Sequence, residues 1–204
     1  STDADANTGP NLKLTRNSSS PADGDVTGEI SFVAENDNDE AITYSQISSR
    51  IDDASDGTED GRLFFYTMVG GSSTERLRFN GTETAFNEGS VDLDFRVESN
   101  GNANMIFVDG GNDVVGIGTS EPNSYNDYAN NLVVLENGNA GITIVAGTSN
   151  NSSLYFADGT SGNAQYRGWV DYLHASDALR LATGGDERMR INSDGQVGIG
   201  LTNQ

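Results

Sequence analysis

The residue types with the clearest chemical potential surround the only histidine of the chain. His174 stands three residues after Asp171 and three residues before Asp177 in the stretch VDYLHASDA. A hydrolytic triad needs a nucleophile bonded to the imidazole, and a metal site needs further ligands, so partners must converge from elsewhere. The spacing points to none of them. We therefore expect no catalytic role for His174 and no enzyme activity for the chain.

Two glycine-rich stretches are similar to ligand-binding motifs. The stretch GGNDVVGIG, residues 110–118, is similar to one nine-residue turn of the calcium-binding β-rolls, but such a cage requires tandem copies. The stretch GIGTSE, residues 116–121, begins like a dinucleotide-binding loop but lacks the third glycine and the helix that would meet a pyrophosphate. The sequence therefore predicts turns here and no cofactor.

Two acidic clusters contain enough carboxylates to attract a hard cation. They are ENDNDE at 35–40 and DDASDGTED at 52–60, and neither has the spacing of an EF-hand loop. We expect solvated loops that limit edge pairing between sheets. Loosely bound calcium is the one metal interaction left open.

Four aromatic residues of the C-terminal half could contact a ligand. Aromatic rings can stack on sugar rings, and they also fill thin cores, so packing and sugar contact are both open interpretations. The four residues are Tyr155, Tyr166, Trp169 and Tyr172.

Charge and composition exclude several classes of protein. The net charge of -20, from 31 acidic against 11 basic residues, opposes binding to nucleic acid and to anionic membranes. The chain has no cysteine, so it has neither a disulfide nor a thiolate metal site. No apolar run is long enough to span a membrane, so we expect no membrane insertion. The start lacks Met and a secretion signal, and we read it as processed or excerpted.

The apolar content is low for a chain of 204 residues. Only 43 residues are Leu, Ile, Val or Phe, close to the composition of disordered chains of high net charge. Regular strand patterning and burial against partner chains could together supply an adequate core. The composition therefore favours an assembly of several copies.

Strand signals dominate the sequence. In VDLDFRVES, residues 91–99, apolar and polar residues alternate as on a half-buried strand. A three-residue loop at 99–101 would place Phe95 opposite Met105, and a second loop at 110–112 would place Phe107 opposite Val115. Residues 91–118 are thus predicted to form a three-stranded meander.

The same relation between loop length and strand register applies to the C-terminal region. A loop at 184–186 would place Leu181 opposite Met189, and the same register pairs Leu179 with Ile191. A loop at 193–195 would place Ile191 opposite Val197. Arg180 would then face Arg190, so we expect carboxylates there from another strand or chain.

Glycines mark both the turns and a bare strand face. In VVGIG and QVGIG the glycines alternate with apolar residues, which permits close approach of another backbone, and we expect that backbone to belong to a neighbouring subunit. The predicted turn and structural glycines are Gly101, Gly110, Gly111, Gly116, Gly118, Gly184, Gly185, Gly195, Gly198 and Gly200.

Segments of the two halves repeat in a fixed order. Residues 28–32, 41–51, 61–67 and 75–81 run parallel to 152–156, 164–173, 177–183 and 187–195, with an offset that falls from 124 to 112. The predicted organisation is a leader or connector at 1–8, a β-module at 9–88, the meander at 89–119, a connector at 120–129 and a second β-module at 130–204.

Several phrases resemble the tail fibres and related virion fibres of marine bacteriophages. They are SSSPADGDVTGEISF, DGTEDGRLFFYTMVGG, FNEGSVDLDFRVESNGNANMIFVDGGNDVVGIGTSEP and GGDERMRINSDGQVGIG. The resemblance implies an all-β, elongated modular fibre of antiparallel meanders wound into an intertwined parallel homotrimer. In that family the last phrase commonly precedes another module or a C-terminal chaperone domain, whereas this chain has GIGLTNQ there.

The function implied is that of an extracellular virion component that contacts a host. Expected partners are other copies of the chain, other fibre or baseplate proteins, and a glycan or protein of the host surface. Two alternatives remain: a cellular adhesin or filament subunit, and a polysaccharide-degrading spike in which two carboxylates flank a glycosidic bond.

Overall fold

The computed structural model describes residues 11–200, and these residues form an all-β structure without an α-helix. The expected all-β class with antiparallel sheets is confirmed. The chain divides into two compact units, of which the first ends at Gly138 and the second begins at Asn139. The predicted leader at 1–8 lies outside the described residues.

The first unit begins with a five-stranded antiparallel sheet. Its strands follow one another in chain order, each paired with the next. Alternating polar and apolar residues and short turns favour this simple topology. The strands are β1 (Val26–Glu35), β2 (Ala41–Asp53), β3 (Asp60–Val69), β4 (Ser72–Phe79) and β5 (Thr84–Phe86).

A four-stranded sheet completes the first unit. Its strands are β6 (Phe95–Val97), β7 (Ile106–Asp109), β8 (Val114–Ile117) and β9 (Leu132–Val134). A short 3-10 helix, Pro122–Ser124, lies between β8 and β9, which pair in parallel. Strand β9 thus belongs to this sheet, although the repeat pattern assigned its residues to the second module.

The predicted pairing of the meander is wrong by an odd number of residues. Phe95 pairs with Val108 instead of Met105, and Phe107 pairs with Gly116 instead of Val115. The first loop is longer than expected and runs from 98 to 105. The second has four residues, because Asp113 adopts the left-handed conformation (φ 57°) before β8 begins. An odd slip exchanges the two faces of a strand, and the two slips together turn over only β7. Phe95 and Val115 therefore still share an apolar face, with Val108 between them in place of the predicted residues of β7.

The second unit contains another five-stranded antiparallel sheet in chain order. A short 3-10 helix, Gly162–Tyr166, precedes its second strand. The strands are β10 (Asn151–Phe156), β11 (Gly168–Leu173), β12 (Ala178–Thr183), β13 (Asp186–Ile191) and β14 (Val197–Ile199).

Here the predicted pairings are confirmed. Leu181 pairs with Met189, and Ile191 pairs with both Leu179 and Val197. The turn before β13 has two residues, not the expected three. A bulge at Arg188 adds one residue to β13, so the residues beyond it pair as predicted. The two glycines of this turn have φ of 66° and 87°, as a type I′ hairpin requires.

The two five-stranded sheets match strand by strand. The row Ile30, Ile47, Phe65, Leu77, Phe86 crosses the first sheet, and the row Leu154, Val170, Leu181, Met189, Ile199 crosses the second at equivalent pairing positions. Both rows contain strongly exposed members, with Phe86 at 54% and Ile199 at 73%. One apolar face of each sheet is therefore only partly covered within the chain.

Candidate functional site

A pocket in the first unit combines apolar and charged side chains. Its volume is about 340 Å³, and it lies where β4 and β5 meet β6, β7 and the loop before β8. We call it the aspartate-rimmed pocket. The residues that give it its chemistry are Arg76, Phe86, Asp94, Phe95, Asp109 and Asp113.

Two aromatic rings form the apolar part of the pocket. The centroids of Phe86 and Phe95 lie 4.9 Å apart, with their planes tilted by 49°. Phe86 ends the last strand of the five-stranded sheet, and Phe95 begins the first strand of the next sheet. Both side chains remain partly exposed.

A β-bulge places the cation of the pocket. Phe65 pairs with Leu77 and Tyr66 with Glu75, so Arg76 is the extra residue of β4. Bulges re-aim side chains, and this one directs Arg76 towards the pocket. Its Nε donates to the hydroxyl of Thr67 at 2.6 Å, and no ion pair of Arg76 is found among residues 11–200.

Backbone strain concentrates around this pocket. Five non-glycine residues of the described chain have positive φ, and three of them, Asn87, Ser90 and Asp113, line the pocket. The side chain of Asn87 closes its loop by bonding both the N–H and the C=O of Val91. Such conformations are costly and cluster at functional sites.

The three carboxylates of the rim differ in their hydrogen bonds. Asp109 accepts hydrogen bonds from the backbone N–H groups of Gly111 and Asn112 and from the side-chain amide of Asn112. The bond from the Asn112 side chain is the largest cause of a pKa of Asp109 below its ordinary value. Asp94 accepts from the Gly110 N–H at 3.1 Å through one oxygen. A glycosidic general acid needs a raised pKa, so Asp109 is unsuited to that role.

The sequence predicted glycine turns in this region but not a pocket. Gly110 is required because an added Cβ would collide with the backbone of Leu93. Neither Gly110 nor Gly111 has positive φ, and Asp113 takes the left-handed position instead. The bulge of β4 and the loop after β5 carry no simple sequence signal, so the sequence does not predict the pocket.

The backbone that approaches the bare glycines belongs to the same chain. An added Cβ would meet the Thr119 carbonyl at Gly116 and the Leu135 carbonyl at Gly118. The expectation of a neighbouring subunit at these two positions is therefore replaced by a contact within the unit. Gly198 is buried opposite Arg190, and Gly200 has φ 71° in open space.

The other predicted glycines fall into two groups. Gly184, Gly185 and Gly195 have positive φ and occupy turns. Gly101 lies in the loop before β7 with open space around it.

The four predicted aromatic residues do not form one ligand site. Tyr155 and Trp169 pair across β10 and β11 on one face, whereas Tyr172 lies on the other face of β11. The Tyr172 hydroxyl donates to Asp177 at 3.1 Å, and this bond raises the pKa of Tyr172. Tyr166 lies beside Gly185, and its hydroxyl donates to Asn163.

His174 has a partner that the sequence did not reveal. Its Nε2 lies 3.0 Å from the Ser152 hydroxyl on the neighbouring strand. The two flanking carboxylates are engaged elsewhere, since Asp171 binds Arg180 and Asp177 binds Tyr172. A serine and histidine without an orienting acid lack the arrangement of a hydrolytic triad.

The expected carboxylates beside the facing arginines come from other positions of the same sheet. Asp171 on β11 accepts two bonds from Arg180, at 2.9 and 2.6 Å, and is 3% exposed. Glu187 accepts two bonds from Arg190, both at 2.8 Å, and lies 3.5 Å from Arg180. The hydrogen bond from Arg190 is the largest cause of a pKa of Glu187 below its ordinary value of 4.5.

Within residues 11–200, no group of three or more acidic or histidine side chains is arranged to hold a metal ion. This includes the described acidic clusters where loose calcium binding was left open. The same residues contain no helix that is both long and apolar enough to cross a membrane.

The fold defines an all-β protein built from two matching antiparallel sheets and a mixed four-stranded sheet. No protein-family model matches the chain, and no curated protein or solved structure matches it significantly.

Proposed function

We propose that this protein is a segment of a bacteriophage tail fibre, serving as shaft and as host-surface contact in the virion. Support comes from the fibre-like phrases of the sequence and from the modular repetition of one antiparallel sheet. Its partners would be two further copies in a parallel homotrimer, other fibre or baseplate proteins, and a glycan or protein of the host.

The observation that carries this proposal is the partly open apolar face of each five-stranded sheet. Val170 and Leu181 occupy central strands of the second sheet, yet each is 36% exposed. Exposed apolar area of this kind marks a surface of interaction. Three copies that bury these faces together would supply the core that the composition of a single chain lacks.

The mechanism would be mechanical and multivalent. A stiff repeated shaft holds weak contacts away from the particle, and three-fold repetition raises the effective concentration of those contacts at the host surface. The net charge of -20 would keep neighbouring fibres apart.

The test is the mass of the protein in solution, by light scattering and native mass spectrometry. We expect three times the chain mass of 21.6 kDa. Val170→Glu, which puts a charge into the apolar row, should lower the mass, whereas Gln196→Glu in an exposed loop should not. A compact single chain that melts cooperatively at high dilution would overturn the proposal.

A further inference from the structure

The geometry points to the aspartate-rimmed pocket as a binding site for a neutral saccharide unit. This inference deepens the host contact of the proposed function and rests on it for the biological source of the sugar. The pocket's own chemistry gives the ligand class.

The size and composition of the pocket fit a small ligand. Its volume of about 340 Å³ lies at the lower end of the range of about 300–1,000 Å³ for ligand sites. Such sites combine an apolar lining with a few placed polar groups. Here Val91 and Val108 extend the apolar surface of the two phenylalanines, and charged groups stand at the rim.

The polar groups suit a partner that both donates and accepts hydrogen bonds. Both oxygens of Asp113 and the second oxygen of Asp94 have no hydrogen-bond partner within the described chain. Carboxylates accept only, and the guanidinium of Arg76 donates only. Adjacent sugar hydroxyls can serve both kinds of group at once, while the C–H face of the ring lies against the aromatic rings.

Charge decides between classes of saccharide. Three carboxylates against one guanidinium make the rim acidic, and the chain as a whole is strongly acidic. Sulfated or uronate-rich glycans would therefore be repelled. A purely apolar ligand would leave the carboxylates desolvated without partners. A neutral sugar avoids both costs.

The second unit provides a natural comparison for Arg76. Arg188 is the bulge residue at the equivalent position of β13, and its Nε also donates to a threonine hydroxyl, that of Thr183, at 3.4 Å. Arg188 pairs with Asp186 at 3.2 Å, and neither residue lines the aspartate-rimmed pocket. Bulge, arginine and threonine thus recur in both units, and Arg76 is the one of the two arginines that lines the aspartate-rimmed pocket.

The experiment is saturation-transfer NMR on the full chain with the methyl glycosides of glucose, galactose, mannose and N-acetylglucosamine. We expect at least one to bind. Arg76→Gln and Asp113→Asn should each weaken that binding about tenfold or more, as for the loss of a bond to a charged group. Asn tolerates the left-handed backbone, so Asp113→Asn should fold normally.

Matched controls separate the pocket from general effects. Arg188→Gln changes the equivalent bulge, and Asp39→Asn changes another left-handed aspartate (φ 60°) far along the sheet, so neither should alter binding. The inference is overturned if none of the four glycosides binds, if the controls weaken binding equally, or if butylamine binds better than every glycoside. A trimer that binds no sugar refutes this inference alone, whereas a stable monomer that binds sugar refutes the fibre proposal and leaves the pocket.

Discussion

The two five-stranded sheets share strand order, pairing and the bulge after the β3–β4 and β12–β13 turns, yet they fill the centre of their polar faces differently. In the first sheet the central residue is Phe64, and in the second the equivalent residue is Arg180. The backbone plan is therefore insensitive to whether an aromatic ring or a guanidinium occupies the middle strand.

Each central residue is surrounded by groups that suit it. Three guanidinium groups lie over the Phe64 ring, those of Arg50, Arg62 and Arg78, at 5.1, 5.9 and 6.0 Å from its centroid. This is a cation–π environment. Beside Phe64 on β2 stands Ser48, which is fully buried and donates to Glu29.

In the second sheet the position of Ser48 is taken by Asp171, which pairs with Arg180, and Arg180 in turn lies 5.0 Å from the Trp169 ring. The two positions therefore differ between the sheets as a matched pair, Ser48 with Phe64 and Asp171 with Arg180. A half-buried arginine is stabilised by a buried carboxylate, whereas a phenylalanine requires only a small polar neighbour.

The largest expected effect comes from breaking the pair in the second sheet. Asp171→Ala leaves Arg180 without its main partner and should lower the free energy of unfolding by about 3–5 kcal/mol. Ser48→Ala, the equivalent change in the first sheet, should cost only about 1 kcal/mol. Urea denaturation at fixed protein concentration measures both.

The double variant Asp171→Ser with Arg180→Phe copies the first sheet into the second. It should recover most of the stability that Asp171→Ala loses, because no unpaired charge remains buried. Equal instability of the double and single variants would show that the two sheets are not interchangeable.

A smaller effect is expected at Glu75 and Glu187, each of which directly precedes the bulge residue of its strand. Glu187 serves both Arg190 and Arg180, whereas Arg78 in the first sheet has Glu88 in addition to Glu75. Glu187→Gln should therefore cost about 2 kcal/mol near neutral pH, and Glu75→Gln should cost less.

This difference should also appear in the pH dependence. The folded pKa of Glu187 is depressed, so its contribution to stability is present above the unfolded value of 4.5 and is lost as the pH falls through the lower folded value. Chemical denaturation between pH 7 and pH 3 should show a smaller acid loss for Glu187→Gln than for the wild type. An unchanged acid profile would contradict this assignment.

The smallest effect is expected in the turns. Gly185 has φ 87° and its counterpart Gly71 has φ 81°, so alanine at either position should cost about 1 kcal/mol. Gly101→Ala should be close to neutral, because Gly101 has open space and no positive φ. Thermal unfolding of the three variants tests whether the two turns are equivalent.

Local pattern was sufficient for much of this structure. The alternation of residues and a loop at 184–186 predicted the pairing of Leu181 with Met189, and the loop at 193–195 predicted the pairing of Ile191 with Val197. These pairings are short-range, and one register satisfies both the turn and the apolar face.

The meander shows where local pattern fails. Its strands are short, and aspartate instead of glycine takes the left-handed turn position at Asp113. Aspartate tolerates the left-handed conformation better than most residues, so the rule that glycine marks such turns gave a loop one residue too short.

The sequence by itself determined the all-β class, the repetition of one sheet and the need for carboxylates near Arg180 and Arg190, because period-two alternation and charge balance act between near neighbours. Only the tertiary structure decided that β9 joins the first unit in parallel, that Gly116 and Gly118 face their own chain, and that a bulged Arg76 meets Phe95 and Asp113 in one pocket. These contacts join segments far apart in the chain, and loop geometry sets them in ways that residue order alone does not specify.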